Sequence, residues 1–539
     1  MKRFFDIILS FLLIILLSPL IIVLIILTSV TSKGGPFFFG PRVGKNGKIF
    51  KIVKFRSMKI KSEGHGTWNV SGKDSRITKF GYFLRKTKLD EIPQIFNILI
   101  GNMSFVGPRP ELPVYVDCYS SLEMPILDNR PGLTDWASIV HSDQIVGFTN
   151  AQDPDEYYFH VIRPLKLKLQ LYYRYNRNIF SDFHCLLWTF WKVVSKTKKN
   201  PKKIQKIIDD YSKEESEKAI LKTKVEKITI PHTDLKVSRI CFGGCPMGGY
   251  GWGETHKNDF IEAIRYALDI GMNFFDTADT YGLGESEKIL GEAIKGRREE
   301  VVIATKFGVR RDESGHTFYD NSPEWIKEAL ENSLRRLGTD YVDLYYIHFL
   351  DHKTPLSLVV ETLEQLQKEG KIRYYGLSNV KKEDLEDIKR SKGKFVSIQD
   401  EYSLLTRKNE EDLLFYQKEL NMTPMTWGSL SQGLLAGKIT KETVFGKDDR
   451  RSRDIYINFH GEKFERNLLI VEDLRKMAQN YKVPISSVAI RFTLDNLKNS
   501  VALVGVKNIS QLKENIQAYT FRLNKKDLAY LNKILENEK

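Results

Sequence analysis

The sequence predicts two folded parts: a small α/β domain attached to an apolar membrane helix, followed by a (β/α)8 barrel. Three observations lead to this prediction. The chain has 539 residues, more than one hydrophobic core usually organises. Residues 4–30 are almost wholly Ile, Leu, Val and Phe. From about residue 228 onward, short apolar strands alternate with amphipathic helices, which is the pattern of a (β/α)8 barrel.

The apolar segment is long enough, at about 1.5 Å per residue, to cross a hydrocarbon core about 30 Å thick. Ser18 and Pro19 interrupt it near its middle, and Lys2, Arg3 and Lys33 flank it on both sides. Positive charge at both ends favours two cytoplasmic ends. We therefore expect a re-entrant helix kinked at the proline, with the serine hydroxyl satisfying a carbonyl that the proline frees. A spanning helix is the alternative. A cleaved signal peptide is disfavoured, because no small-residue cleavage site follows.

The net charge of +15 lies almost entirely in roughly the first 200 residues, and the remainder is close to neutral. Anionic lipid, phosphorylated substrates or nucleic acid could account for this basic half. The apolar helix beside it favours the first two, and no nucleic-acid motif is found. The four cysteines form neither a CxxC pair nor a zinc-ligand spacing. This favours a reducing compartment, and we expect both parts to face the cytoplasm.

Four short motifs follow the apolar helix: KFRSM (54–58), LRKTKLDEIPQ (84–94), GPRPE (107–111) and RPGLTDW (130–136). In this order, after a helix broken by Ser-Pro, they closely resemble the monotopic phosphoglycosyl transferases, the bacterial sugar transferase family, over residues 1–195. The resemblance implies transfer of a sugar phosphate from a UDP-sugar to polyprenyl (undecaprenyl) phosphate, with Mg²⁺ as cofactor. It also implies a place on the cytoplasmic face of the bacterial inner membrane.

The residue types in these motifs suit that chemistry. Arg56, Arg85 and Arg109 are candidate phosphate ligands, because a guanidinium binds phosphate through two parallel hydrogen bonds. The resemblance implies that Asp90 attacks the phosphate to form a covalent phospho-sugar enzyme, and that Glu91 assists by coordinating Mg²⁺ or handling a proton. Adjacent acids near a proline are also an ordinary helix start. That interpretation is compatible with catalysis, since phosphate binds well at helix N-termini.

Three further features concern the first part and its connection to the barrel. Asp135 stands where similar sequences usually carry glycine (RPGLTGW), and the segment ASIVHSDQ after it is unfamiliar, so the sugar is not predicted. Residues 171–194 interleave aromatic and basic side chains, as an interfacial membrane segment does, although a core helix with a basic face is the alternative. Residues 196–227 are rich in Lys, Glu and Ser. We expect them to form a charged, helical or flexible linker between domains 1–195 and 228–539.

In the predicted barrel, polar residues lie where strands end, which is where barrel enzymes carry their catalytic groups: Asp276, Lys306, His348, Ser378, Asn379 and Gln399. The segments around them are FDTADTYGLGESE (275–287), ATKFG (304–308), SLRRLGTDYVDLYYIH (333–348) and GLSN (376–379). These segments resemble the aldo-keto reductases, and the resemblance runs from about residue 228 to the C-terminus.

The resemblance implies four catalytic residues, and each has a chemical reason. Hydride reduction of a carbonyl builds negative charge on oxygen, so Tyr281 is expected to donate the proton. Its ordinary pKa near 10 is too high for efficient donation at neutral pH. We expect the Lys306 ammonium, held by Asp276, to lower the pKa of Tyr281, and His348 to orient the carbonyl. Taken singly, a barrel-rim ion pair and a buried core histidine are ordinary alternatives.

The resemblance also implies a nicotinamide cofactor. It assigns Ser378, Asn379 and Gln399 to the nicotinamide carboxamide, and Trp427 replaces the tyrosine usual under the ring, which keeps a stacking face. The remaining cofactor residues that it implies are Leu430 and, in GVKNISQLKEN (505–515), Gly505, Lys507, Gln511, Glu514 and Asn515. An arginine is common at the position of Gln511, and Lys507 could substitute for it. NADPH is favoured, with NADH as the alternative.

The predicted function is a bifunctional membrane enzyme whose barrel reduces a keto or aldehydo sugar of the same glycoconjugate pathway. Its predicted partners are the UDP-sugar, polyprenyl phosphate, a carbonyl-containing sugar and membrane lipid, with no nucleic acid. One alternative is a barrel that only binds, which the four catalytic residues argue against. The other is a reductase tethered by a decayed transferase, which Asp90 and Glu91 argue against. The oligomeric state stays open.

Overall fold

The computed structural model describes residues 2–59, 76–141, 154–195, 199–249, 251–312, 314 and 316–536. The chain forms two compact units, Met1–Glu215 and Ser216–Lys539. The division falls inside helix α9 (Lys202–Lys222), which occupies most of the predicted linker. Ile204, near the start of this helix, is fully buried in the core of the first unit. In the second unit, Lys218 forms an ion pair of 2.8 Å with Asp269.

The first unit is a small α/β domain. Its strands form an antiparallel hairpin and a parallel pair: β1 (Phe37–Val43) with β2 (Ile49–Phe55), and β3 (Ser104–Val106) with β4 (Gly132–Thr134). Its helices before α9 are α1 (Lys2–Thr31), α2 (Lys79–Thr87), α3 (Gln94–Ile100), α4 (Pro113–Val116), α5 (Trp136–Val140), α6 (Pro154–Tyr157), α7 (Arg163–Asn176) and α8 (Ile179–Ser195).

Helix α1 is the apolar segment, and it runs through Pro19 as one helix of 30 residues. It is the one helix in the described part of the chain that is long and apolar enough to cross a membrane. The Ser18 hydroxyl donates to the carbonyl of Ile15 at 2.8 Å. This carbonyl lies four residues before Pro19, so it is the one that the missing N–H leaves without its helical partner. The predicted role of the serine hydroxyl is thus confirmed.

The GPRPE motif directly follows β3 and the RPGLTDW motif contains β4, and the two backbones come close together at Gly107 and Gly132. A Cβ on Gly132 would lie 2.1 Å from the backbone nitrogen of Gly107, a distance that no side chain tolerates. Gly107 donates to the carbonyl of Thr134 at 3.0 Å, and Gly132 donates to that of Pro108 at 3.0 Å. This close approach holds the GPRPE and RPGLTDW motifs side by side.

The second unit is a closed barrel of eight parallel strands, as predicted. The strands are β7 (Ile240–Gly243), β8 (Phe274–Asp276), β9 (Val302–Phe307), β12 (Val342–Ile347), β13 (Ile372–Ser378), β14 (Ser397–Glu401), β15 (Thr423–Trp427) and β16 (Val501–Gly505). The polar residues predicted at strand ends lie within two residues of the ends of β8, β9, β12, β13 and β14. The pattern of β7 is weaker in the sequence. Its short run, ICFG, contains a glycine and lacks an alternating pattern.

Helices surround the barrel: α10 (Lys257–Asp269), α11 (Glu285–Ala293), α12 (Pro323–Leu337), α13 (Leu356–Lys368), α14 (Leu385–Ser391), α15 (Glu410–Leu420), α16 (Gly461–Tyr481), α17 (Ile485–Asn496), α18 (Ile509–Asn515) and α19 (Lys525–Glu536). One hairpin, β5 (Lys227–Thr229) with β6 (Lys236–Ser238), packs Ile230 and Leu235 into the barrel core. The other, β10 (Val309–Arg311) with β11 (Thr317–Tyr319), follows β9. The catalytic candidates lie at the C-terminal ends of the barrel strands.

Candidate active sites

The Asp90–Glu91 pair lies on a 3-10 turn, Leu89–Glu91, between α2 and α3. Asp90 is buried, and no residue in the described part of the chain donates a hydrogen bond to its carboxylate. Burial raises the pKa of Asp90, while the nearby charge of Lys54 opposes that rise. A carboxylate with few hydrogen bonds is poorly solvated, which strengthens it as a nucleophile.

Glu91 lies between two cations. Lys54 Nζ donates to its Oε1 at 2.8 Å, and the Arg109 guanidinium contacts both carboxylate oxygens, one of them at 3.2 Å. Burial alone would raise the pKa of Glu91, but Arg109 and Lys54 hold it well below its usual range. Glu91 is therefore ionised at neutral pH and unsuited to handling a proton there. Its partners are the two cations, and this arrangement does not favour the predicted Mg²⁺ role.

The three predicted phosphate ligands have different surroundings. Arg109 belongs to the Asp90–Glu91 cluster. Arg85 donates from Nε to Ser57 Oγ at 2.9 Å, and its charge acts on the pKa of Asp90. Arg56 lies farther along the hairpin and donates to the carbonyl of Phe37 at 2.9 Å. The structure thus joins Arg109 and Arg85 to the carboxylate pair, and it directs Arg56 toward the hairpin backbone.

Asp135, the departure from the family pattern, is fully buried. One carboxylate oxygen caps α5 by accepting from the Ser138 N–H at 2.6 Å. The other accepts from the Arg109 N–H at 3.0 Å and from Gln170 Nε2 at 3.1 Å. Asp135 therefore holds the loop that carries Arg109. The end of the unfamiliar segment that follows, residues 142–144, lies outside the described residues.

Lys54 is the site residue that sequence reasoning missed. Its motif, KFRSM, was recognised for its arginine, yet the lysine two positions earlier contacts Glu91 directly. Burial lowers the pKa of Lys54, and Glu91 opposes that effect. Alternation along β2 places Lys54 on the same face as the buried Ile52, but its contact with Glu91 spans 37 residues, so no local pattern indicates it.

Helix α8 presents an apolar face that the first unit leaves uncovered. Its exposed side chains recur at helical spacing and are 51–82% exposed: Phe180, Phe183, Leu187, Phe190, Trp191 and Val194. The opposite face packs Cys185 into the core. An apolar stripe on one face and a packed opposite face are typical of a helix that lies in a membrane interface.

In the second unit, the four predicted catalytic residues come together at the C-terminal ends of the barrel strands. Lys306 Nζ donates to Asp276 Oδ1 at 2.7 Å, to the Thr277 carbonyl at 2.8 Å and to the Tyr281 hydroxyl at 3.4 Å. The rings of Tyr281 and His348 meet edge to face, with centroids 6.2 Å apart. One cation therefore links the carboxylate to the phenol, with the imidazole beside it.

The expected fall in the pKa of Tyr281 is wrong for this arrangement. Burial raises the pKa of Tyr281 well above 10, and the Asp276 carboxylate raises it further. The Lys306 ammonium does not reverse this effect, because its charge is already compensated by Asp276 at 2.7 Å. Tyr281 is therefore a neutral phenol that carries its proton.

His348 is held as a neutral imidazole. Burial, together with the Lys306 charge, holds its pKa well below 6.5. Its Nδ1 is buried and has no hydrogen-bond partner in the described part of the chain. A neutral imidazole can donate a hydrogen bond from one nitrogen to a carbonyl oxygen without adding charge to the pocket.

The three predicted carboxamide ligands form one connected group. Asn379, at a positive φ of 57°, donates from Nδ2 to Ser378 Oγ at 3.1 Å and to the His348 carbonyl at 3.0 Å. Gln399 Nε2 donates to Asp276 Oδ2 at 2.8 Å, and Gln399 Oε1 is buried without a partner in the described part of the chain. A buried acceptor of this kind fits an incoming amide N–H. Trp427 and Leu430, both half-buried, follow on and after β15.

The predicted adenosine segment begins at the end of β16. The Lys507 N–H donates to Gln511 Oε1 at 3.0 Å, and the Lys507 ammonium contacts the carbonyl of Trp252. Glu514 pairs with Lys438 at 3.1 Å. The two remaining predicted residues differ in exposure, with Gly505 exposed and Asn515 buried. Gln511 thus orders the backbone of Lys507, whose ammonium lies at this end of the barrel together with Lys438.

Comparison with known proteins gives two family matches. Residues 1–196 match the bacterial sugar transferase family, and residues 239–536 match the aldo/keto reductase family. An aldo-keto reductase of Bacillus subtilis (strain 168) is 38% identical over 316 residues, which are 58% of this chain and 94% of that protein. An NADH-specific methylglyoxal reductase of Escherichia coli (strain K12) is 32% identical over 327 residues, 58% of this chain and 99% of that protein.

A solved structure agrees with these matches. The glycerol dehydrogenase of Gluconobacter oxydans is 32% identical and superposes with a TM-score of 0.53, covering 58% of this chain and 95% of that one. Both predicted resemblances are therefore confirmed. The chain belongs to the aldo/keto reductase family through its barrel, and it joins this enzyme to a bacterial sugar transferase domain.

Proposed function

We propose that the first unit transfers a sugar phosphate from a UDP-sugar to polyprenyl phosphate through a covalent intermediate on Asp90. A carboxylate oxygen of Asp90 bonds to the phosphorus that carries the sugar, while the bond from that phosphorus to the UMP oxygen breaks. A phosphate oxygen of the polyprenyl phosphate then attacks the same phosphorus and releases Asp90. The observation that supports this role is the buried Asp90 carboxylate, which accepts no hydrogen bond from the described residues.

The cations of the site have separate parts in this proposal. Glu91 positions Lys54 and Arg109 through its ion pairs, and the two cations neutralise charge that develops on the phosphate oxygens. Asp90 would hold the Mg²⁺ ion implied by the family, because the Glu91 oxygens are engaged. A bound Mg²⁺ would supply further positive charge for the departing UMP. No cluster of three or more metal-ligating side chains occurs within the described ranges.

We also propose that the enzyme lies on the cytoplasmic face of the inner membrane with both ends of α1 on that side. At one end, Lys2 Nζ donates to the Val106 carbonyl at 2.7 Å and to Asp182 at 2.6 Å. Toward the other end, Ile21 and Leu24 pack with Phe55 and Leu84. One folded domain cannot hold a helix at both ends from opposite sides of a bilayer, so these contacts support a re-entrant rather than a spanning helix.

The topology can be tested with cysteine probes at positions 2 and 45, in a chain whose four native cysteines are replaced by serine. The re-entrant arrangement predicts that a membrane-impermeant maleimide labels both positions only after the cytoplasmic side is exposed. A probe at position 100, on the folded domain, reports which side is accessible. Labelling of position 2 from the periplasm of intact cells would establish a spanning helix instead.

For the second unit we propose reduction of a carbonyl group, with Tyr281 donating the proton and His348 orienting the carbonyl oxygen. A bound NAD(P)H supplies the hydride. Lys306 supports the contact network, because it donates to both Asp276 and Tyr281. The buried Gln399 Oε1 provides an acceptor for the nicotinamide amide. The Lys507 ammonium favours NADPH, because it can bind the additional phosphate of that cofactor. The Escherichia coli relative is named as NADH-specific. The affinities for both cofactors should therefore be measured.

The two reactions are proposed to share one glycoconjugate pathway, with a keto or aldehydo sugar as the carbonyl substrate. Tyr281→Phe should abolish NADPH oxidation and leave UMP release near the wild-type rate, and Asp90→Asn should do the reverse. Asp90→Asn should also remove the phospho-sugar adduct from the intact mass spectrum. UMP release by Asp90→Asn at the wild-type rate would refute the covalent role of Asp90. If no UDP-sugar is both reduced and transferred, the shared pathway is refuted.

A further inference from the structure

The loop that follows β7, beside the reductase site, holds a cation that the proposed reaction does not use. Arg450 begins a short 3-10 helix in the segment after β15. Its N–H donates to the Gly251 carbonyl at 3.0 Å, and its guanidinium carbon lies 5.6 Å from the centre of the Trp252 ring. Gly251 has a φ of 74°, and a Cβ there would lie 2.5 Å from Arg450 Cγ. The loop after β7 thus holds Arg450 tightly.

The same loop contacts the catalytic tyrosine. A Cβ on Gly248 would lie 2.7 Å from the carbonyl carbon of Tyr281, so the two backbones touch. The Trp252 indole forms a hydrogen bond with the thiol of Cys245, just beyond β7. Burial raises the pKa of both Tyr281 and Cys245, and the positive charge of Arg450 opposes the rise in each case. Through Trp252 and Cys245, Arg450 is therefore connected to the C-terminal end of β7, in the loop that packs against the catalytic tyrosine.

The next residue, Arg451, faces a different environment. It forms two hydrogen bonds with Asp449, at 2.9 and 2.6 Å. Its electrostatic influence falls on Lys507, whose pKa is lowered first by burial and then by Arg451. Of these two adjacent arginines, Arg451 is associated with the predicted adenosine end of the site, and Arg450 with the catalytic end.

We propose that Arg450 binds an anionic group, a phosphate or a carboxylate, on the carbonyl substrate of the barrel. A guanidinium that is fixed over an aromatic ring can bind either group through two parallel hydrogen bonds. This inference rests on the proposed reductase function, and it defines the substrate class as acidic carbonyl compounds, which include phosphorylated and nucleotide-linked sugars. Two of the relatives described above are named for glycerol and methylglyoxal, which are uncharged.

The test compares two aldehydes that differ by one phosphate, glyceraldehyde 3-phosphate and glyceraldehyde, in the full chain with NADPH. The wild type should prefer the phosphate ester by roughly 10- to 100-fold in kcat/KM, the effect of one charged hydrogen-bonding contact. Arg450→Gln should remove the preference by raising KM for the ester, with the kinetics of glyceraldehyde unchanged. Arg450→Lys should retain part of it. Arg453→Gln, an exposed arginine of the same segment, should behave as wild type.

A carboxylate pair, 4-carboxybenzaldehyde and 4-(hydroxymethyl)benzaldehyde, shows whether the site takes any anion or phosphate alone. NADPH affinity, measured by fluorescence, should be equal in the wild type and Arg450→Gln. Weaker NADPH binding with an equal loss for both glyceraldehydes would assign Arg450 to the cofactor and overturn the proposal. A wild type that reduces charged and uncharged aldehydes equally would overturn it as well. A wild type that binds NADPH but reduces none of the four aldehydes would refute the reductase function itself.

Discussion

The carboxylate of Asp135 accepts a hydrogen bond from the backbone N–H of Arg109 at 3.0 Å. Arg109 in turn contacts Glu91, so Asp135 fixes the position of a predicted phosphate ligand. Gln170 adds a second contact to the same Asp135 oxygen at 3.1 Å. Glycine, the residue expected at this position from similar sequences, could provide none of these contacts. Asp135, where similar sequences carry glycine, therefore holds the loop of Arg109 in place.

Asp135→Gly should destabilise the first unit and slow UMP release at least tenfold. The change removes the α5 cap, which is worth about 1 kcal/mol, and it leaves the Arg109 N–H without its acceptor and removes the shorter hydrogen bond of the Gln170 amide. Asp135→Asn keeps a capping oxygen and should be milder on both measures. Asn508→Ala, which removes the cap of α18 in the barrel, is the matched control and should leave UMP release unchanged. Normal UMP release by Asp135→Gly would contradict the role of Asp135.

Lys54→Met should lower UMP release at least tenfold and leave NADPH oxidation unchanged. The substitution keeps most of the buried aliphatic chain but removes the ammonium 2.8 Å from Glu91, so one fixed cation near the phosphate is lost. Lys51→Met is the control, because Lys51 lies on the same strand and is exposed. Equal rates for the two variants would show that the Lys54 charge is not used.

Asp279 should contribute to the stability of the reductase unit at low pH, and this contribution should be lost as the pH rises from about 4 to about 7. Burial raises the pKa of Asp279 to about 7, whereas the carboxyl ionises near pH 4 in the unfolded chain. Between these values the folded state binds the extra proton, so the free energy of unfolding falls with pH, by up to about 4 kcal/mol, and then levels off. Asp279→Asn removes this effect.

The measurement is calorimetry between pH 5 and 8, following the unfolding transition that NADPH shifts. Asp279→Asn should gain stability relative to the wild type as the pH rises. Asp320→Asn is the control with the opposite sign, because hydrogen bonds from Ser322 and Arg310 outweigh burial and lower the pKa of Asp320. A pH-independent difference between Asp279→Asn and the wild type would contradict the raised pKa.

Charges placed on the apolar stripe of α8 should weaken contact with lipid. Phe183→Glu with Phe190→Glu introduces two carboxylates at side chains that are 63% and 68% exposed. We expect less quenching of Trp191 by brominated phospholipids and slower transfer to polyprenyl phosphate, with α1 still anchoring the chain. Leu469→Glu, at a side chain 69% exposed on the barrel, is the control. Unchanged quenching in the double variant would place the stripe outside the bilayer.

The barrel was largely predictable because its strands, helices and site residues are indicated by patterns within short segments of the sequence. Strand ends, helix spans and the four catalytic residues follow from alternation and from short motifs, and Lys306 does lie between Asp276 and Tyr281 as expected. The pKa of Tyr281 was not predictable, because burial and charge compensation depend on the whole assembly. In the first unit, the contacts of Lys54 and Asp135 join segments separated by 37 and 26 residues, and no local pattern records such pairs.

Helix α1 has one side packed against the protein and other sides that are exposed and apolar. The buried stripe includes Asp6, Ser10, Ile21 and Leu24, which pack against the domain. The exposed sides are apolar and suited to hydrocarbon. Ile21 and Leu24 rest on Phe55 and Leu84. These two residues immediately precede Arg56 and Arg85, two of the predicted phosphate ligands. Trimming the helix to obtain a water-soluble enzyme would therefore remove the side chains that support Phe55 and Leu84. With α1 in the membrane as proposed, the thickness and tension of the bilayer should change the rate of the transferase.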